Sequence, residues 1–148
     1  MKKIALLATG FLFSFAAMAQ TQTQSQAPAQ TKAEDYIKMN EDKHDFGKLK
    51  QGVPVTYYFE IKNISNKPVI VESAVASCGC TVPEKPEKPI MPGETAKLKV
   101  QYNAASPAPF TKDVTIKLAG VELHKVVQIT GEVLSVEAYE EWKKSKKG

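Results

Sequence analysis

An all-β sandwich of about seven short antiparallel strands is what this sequence predicts. Two observations carry the prediction. Apolar and polar residues alternate with period two in runs spaced about ten residues apart, with turn signals between the runs. No stretch between residues 43 and 134 shows a helical period. A third observation sets the size. The patterned region spans about ninety residues, which suits an immunoglobulin-like module.

The opening strands and turn come from His44-Asp45-Phe46-Gly47 and residues 48–53. Asp45 is placed to cap the turn before Gly47. In the next run Val55, Tyr57, Phe59 and Ile61 fall on one phase, while Thr56, Glu60 and Lys62 fall on the other. Alternation puts the first set on one face of a strand, so Tyr57 and Phe59 are core candidates. Residues 63–68 collect Asn63, Ser65, Asn66 and Pro68 and read as a turn. A second strand is expected from residue 69 to 76. After it come the two cysteines and then Pro83, Pro86, Pro89 and Pro92, which deny backbone donors to a central ladder. Ala96, Leu98, Val100 and Tyr102 alternate with Lys97, Lys99 and Gln101. Residues 103–109 read as a loop. Val114, Ile116 and Leu118 alternate with Thr115 and Lys117, Ala119-Gly120 turns the chain, and a last long strand is expected over residues 121–133.

Four segments follow from this reading. Residues 1–19 have the layout of a signal peptide: Lys2 and Lys3, an apolar stretch over residues 4–15 too short to span a bilayer, and Ala17-Met18-Ala19. Cleavage is expected between Ala19 and Gln20. Residues 20–42 are expected to be a low-complexity, disordered spacer. Its first part holds no apolar side chain larger than alanine, and residues 33–40 read as a short connector. Residues 43–134 are the sandwich, and residues 135–148 a lysine-rich C-terminal tail, a frayed end or a short amphipathic helix carrying Trp142. Export is therefore expected, to the periplasm or the outside. No later stretch is apolar enough to cross a membrane.

Charge excludes one class of partner. All 20 basic residues are lysines, and six of them lie at the two chain ends, which leaves fourteen against 16 acidic residues. A slightly acidic centre without arginine does not suit a nucleic-acid groove. No carboxylate pair, Ser-His-Asp set or phosphate-cradling glycine loop is present, so no enzyme is expected.

The chemistry concentrates in Cys78-Gly79-Cys80, the only two cysteines. Three readings stay open. The pair forms a local disulfide that pins a turn, with Gly79 supplying backbone freedom. Or the small ring makes an exchange-active bond, with Lys85 and Lys88 following in sequence. Or two thiolates bind a soft ion such as Cu(I). A closed zinc site needs further ligands, for which the chain offers His44, His124, Met39 and Met91. His44 reads as a strand-edge histidine and His124 as solvent-facing.

Five pieces carry a family resemblance: His44-Asp45-Phe46-Gly47; Tyr58-Phe59-Glu60-Ile61-Lys62-Asn63; Ser77-Cys78-Gly79-Cys80-Thr81-Val82-Pro83; Ile90-Met91-Pro92-Gly93-Glu94; and Ile129-Thr130-Gly131-Glu132-Val133. Together they resemble the exported bacterial family known as domain of unknown function fifteen-seventy-three. That resemblance implies an immunoglobulin-like sandwich and supplies no function. The expectation is a non-enzymatic binding or structural module for an envelope or extracellular protein. The alternative is a thiol-based Cu(I) or redox protein working through Cys78 and Cys80.

Overall fold

A computed structural model describes residues 30–146. The expected leader, the Ala19–Gln20 cleavage site and the spacer up to residue 29 lie outside the described residues. Eight strands form two four-stranded sheets. The strands are β1 (Ile37–Met39), β2 (Lys43–Lys50), β3 (Val55–Asn63), β4 (Val71–Ala76), β5 (Thr81–Glu84), β6 (Thr95–Tyr102), β7 (Ala108–Leu118) and β8 (Lys125–Leu134). One sheet runs β1-β3-β6-β5 and the other β2-β8-β7-β4. The chain is thus the β-sandwich that the period-two runs predict.

The core is the inward phase of the central strands. Phe59 and Ile61 of β3, Leu98 and Val100 of β6, Val114 and Ile116 of β7, and Val127 and Ile129 of β8 are all fully buried. Burial of such side chains supplies about 25 cal/mol per Å² and is the main stabilising term. Between the sheets, Tyr102 stacks on Phe110 at 4.0 Å between ring centroids. Phe110 lies directly opposite Gly131, the one inward position of β8 without a side chain.

Four details depart from expectation, and a fifth decides between two expected alternatives. First, the spacer ends earlier than residue 42. A 3₁₀ turn at Ala33–Asp35 and strand β1 belong to the sandwich. Ala33, Ile37 and Met39 are buried, and Ala33 N donates to Leu123 O at 3.0 Å. A three-residue strand is too short for its alternation to stand out in sequence. Second, β2 pairs with β8 in parallel, with a bulge between Asp45 and Lys48. The chain leaves β1 in one sheet and crosses at residues 40–42 into the other. There Gly47 takes φ 68° and its N–H donates to Asp45 Oδ1 at 2.9 Å, as the cap reading requires. Third, β5 holds Pro83 inside a strand, and it is an edge strand, where the missing donor removes no ladder bond. Fourth, the last strand begins at Lys125 rather than residue 121, because residues 118–121 close a turn through Val121 N and Leu118 O. Fifth, the C-terminal segment is helical: α1 spans Val136–Ser145, capped by Ser135 Oγ, which accepts from Ala138 N at 3.2 Å. Glu137 in its first turn and Lys143 and Lys144 in its last match the helix dipole.

Candidate functional site at the cysteine crossing

Strand β4 stops where it must change sheets. Ser77 N donates to Asp113 O at 2.9 Å, and Asp113 N donates to Ser77 Oγ at 3.2 Å. These two bonds close the β4–β7 ladder. The next residues, Cys78 to Cys80, carry the chain from β4 across to β5 in the opposite sheet. Cys78 and Cys80 are joined in a disulfide, with their Cα atoms 5.3 Å apart. Both cysteines are half-buried, and Gly79 between them is exposed. The turn is held by its backbone as well: Thr81 N donates to Cys78 O at 3.3 Å and Asn103 N to Cys80 O at 3.1 Å.

The residue after the pair completes the site. Thr81 is buried, and its hydroxyl lies 3.8 Å from Cys78 Sγ and 3.9 Å from Cys80 Sγ. Among the described residues these sulfurs are its only side-chain partners. The sequence reading passed over Thr81, though its place next to Cys80 was a signal. Lys85 and Lys88, which follow the cysteines in sequence, lie beyond β5 in the proline-rich connection.

The other ligand candidates are dispersed. Met39 is buried in β1, Met91 is exposed in the turn before β6, and His124 is exposed ahead of β8. His44 sits in β2, where its ring stacks on Tyr57 at 3.5 Å and its Nδ1 lies 3.0 Å from Glu41 Oε1. That cluster is a corner brace. Asn40 Oδ1 accepts from Glu60 N at 2.8 Å, and Asn40 Nδ2 donates to the Tyr57 hydroxyl at 2.9 Å. The Tyr57 hydroxyl chiefly, with His44 assisting, holds the Glu41 carboxyl below its ordinary range. Glu41 in turn raises the Tyr57 phenol. No group of three or more His, Cys, Asp or Glu side chains converges to hold a metal among the described residues. The disulfide also takes up the two thiolates that a Cu(I) ion at Cys78 and Cys80 requires.

A second feature adjoins the crossing. Strand β4 ends its sheet, so one side of its backbone has no strand partner. On the outer face, Val75 of β4 lies opposite Thr115 of β7, which lies opposite Val126 of β8. Val75 is 61% exposed and Val126 46%. Strand β4 has a register irregularity of its own between Val71 and Ser73, so its regular edge runs over residues 73–76; the other three edges are blunted further. Strand β1 has three residues, β2 carries a bulge and Lys43, Lys48 and Lys50, and β5 has four residues including Pro83.

Two sheets packed face to face, crossed by a cysteine turn and left open at one edge, define a β-sandwich module of the immunoglobulin-like class. The chain belongs to the family described as "Protein of unknown function (DUF1573)", whose model matches residues 37–133. No curated protein matches significantly. Among solved structures, a protein of unknown function from Porphyromonas gingivalis W83 is similar with a TM-score of 0.56 and 16% identity, over 75% of this chain and 51% of that one. The ASH / PapD-like domain 7 of human CEP192 is similar at 0.53 and 9% identity, over 91% and 98%. The VesB protease of Vibrio cholerae is similar at 0.55 and 13% identity, over 68% and 33%. This chain therefore spans about half of the first and a third of the protease. At such identities the likeness is one of fold. No helix among the described residues is long and apolar enough to cross a membrane.

Proposed function

We propose that the chain is an exported, non-enzymatic binding module that takes an extended polypeptide segment of an envelope or extracellular partner along the β4 edge. The open edge is the observation that carries this reading. Six residues, Val71 to Ala76, contain neither proline nor lysine, and the single charge, Glu72, is paired with Lys117 at 3.1 Å. Unpaired strand N–H and C=O groups are satisfied by another strand, and exposed Val75 gives the added strand's outward side chains an apolar neighbour.

Random extended peptides displayed on phage and selected on the full chain test the edge. Selected peptides are expected to shift the amide resonances of β4 and to protect them from exchange. Val75→Lys, which alters an exposed position and leaves the core intact, is expected to abolish binding. Peptides that leave β4 unperturbed, or bind Val75→Lys equally well, overturn the assignment. Export is tested by the intact mass of the protein recovered from the periplasm and medium. The expected N-terminus is Gln20, and a chain retaining residues 1–19 refutes it.

A further inference from the structure

We propose that Cys78 and Cys80 form an exchangeable disulfide, a site that accepts two electrons from the thiol pair of a partner molecule, with the Thr81 hydroxyl stabilising the sulfur that leaves. Three features build the site. The bond links residues separated by two in sequence, so it lies within one turn and joins no distant parts of the fold. The turn is also held by backbone hydrogen bonds from Thr81 N, Asn103 N and Ser77 N, none of which depends on the sulfur atoms. Cys78 and Cys80 are each only half-buried, and Gly79 between them is exposed.

Thr81 supplies the chemistry. Its hydroxyl is buried against both sulfurs and has no oxygen or nitrogen partner among the described residues. A disulfide sulfur is a weak acceptor, whereas a thiolate is a strong one. The contact therefore strengthens as the bond breaks, and it favours the reduced pair over the oxidised one. Its place between the two sulfurs lets it serve either as leaving group.

The exchange balances as follows. A thiolate of the partner attacks one of the two sulfurs. A mixed disulfide forms, the Cys78–Cys80 bond breaks, and the second sulfur leaves with the electron pair as a thiolate facing Thr81 Oγ1. The partner's other thiol loses its proton to water and attacks the mixed disulfide, releasing the first sulfur. Both cysteine thiolates take up protons. The partner dithiol becomes a disulfide, and Cys78 and Cys80 become thiols. A disulfide-bearing molecule returns the site to its bonded state by the reverse steps.

The test is a redox titration of the native full chain at pH ~9.5, above the ordinary thiol pKa of about 8.5 so that the reduced sulfurs stay thiolates facing Thr81, in mixtures of reduced and oxidised glutathione, quenched with acid, alkylated and weighed. Reversible interconversion of zero and two alkylated thiols is expected while the fold stays intact by circular dichroism. Cys78→Ser and Cys80→Ser are each expected to accumulate a glutathione mixed disulfide on the remaining sulfur. Thr81→Val is expected to shift the midpoint toward the disulfide by about fivefold, the effect of one hydrogen bond. Thr81→Ser is expected to titrate like the parent. A bond that resists glutathione in the native protein and yields only on unfolding overturns the proposal. A Thr81→Val midpoint equal to the parent's overturns the part assigned to the hydroxyl.

Discussion

Replacing Gly131 with alanine places one methyl group where the sandwich has no room. A Cβ built on Gly131 lies 2.8 Å from Phe110 Cε1, 2.9 Å from Phe110 Cζ and 2.9 Å from Gly47 O. None of the three can yield easily. The Phe110 ring is buried and stacked on Tyr102 at 4.0 Å. Gly47 O belongs to the backbone of the β2 bulge. Overpacking of this kind costs about 1–3 kcal/mol. Since both obstacles, the Phe110 ring and the Gly47 carbonyl, are rigid, about 2 kcal/mol is expected, or a fall of about 8 °C in Tm for a domain of this size. Urea melts of the parent and Gly131→Ala, followed by circular dichroism, measure it. Phe110→Leu then separates the two obstacles. If the ring is in the way, Phe110→Leu and Gly131→Ala together are less destabilising than their sum by about 1 kcal/mol. A Gly131→Ala midpoint within about 0.5 kcal/mol of the parent refutes the packing argument.

Asn63→Ala is expected to lower stability by about 2 kcal/mol in the same melts, because the buried amide donates to Lys67 O and Ile90 O and accepts from Ser65 N and Ser65 Oγ, and its loss strips Ser65 N of its partner and Ile90 O and Lys67 O of one of two donors; Asn63→Asp rescuing fully would contradict the need for its donors. Lys125 braces the N-terminal segment to β8 through Asp42 at 2.9 Å and Glu34 at 3.4 Å. Burial lowers its pKa, but the two carboxylates outweigh burial and leave it raised above 10.5. Its contribution is therefore present below pH ~10.4 and lost as pH rises through the raised folded value, with Lys125→Met expected to cost about 1 kcal/mol at pH 7 and little in strong alkali. Glu41 shows the opposite sign: its lowered pKa gives stability that is lost as pH falls below 4.5, and Tyr57→Phe should return its carboxyl resonance in an NMR titration toward the ordinary value. Serine at both Cys78 and Cys80 should cost no more than about 1.5 kcal/mol, because the loop it opens is so short; a loss of several kcal/mol would mean that the bond carries structural weight.

The sandwich was legible in the sequence because its central strands are half-buried. One face of β3, β6 and β7 packs on the other sheet and the opposite face meets water, so the pattern of Phe59, Leu98 or Ile116 between polar neighbours states both the strand and its inward side. The Asp45 cap before Gly47 was legible for a related reason, since it follows from local backbone chemistry. The cysteine pair was visible as a place but not as a site. Its neighbour Thr81 matters only because the crossing turns that hydroxyl back onto both sulfurs.

What the sequence by itself determined is therefore the layer and its inward residues, which depend on alternation along one strand. What only the tertiary structure decided is everything that depends on which strands lie side by side. Strand β1 is too short to announce itself and is ordered by its pairing with β3 and by burial of Ile37 and Met39. The parallel pairing of β2 with β8 arises where the chain changes sheets, and alternation is identical in parallel and antiparallel strands. Gly131 falls in sequence within the last expected strand with no mark of its role; in the fold it is the space that the Phe110 ring fills. The open edge at β4 exists only because the strand order leaves it last, and strand order is set by long-range contacts that no local pattern encodes.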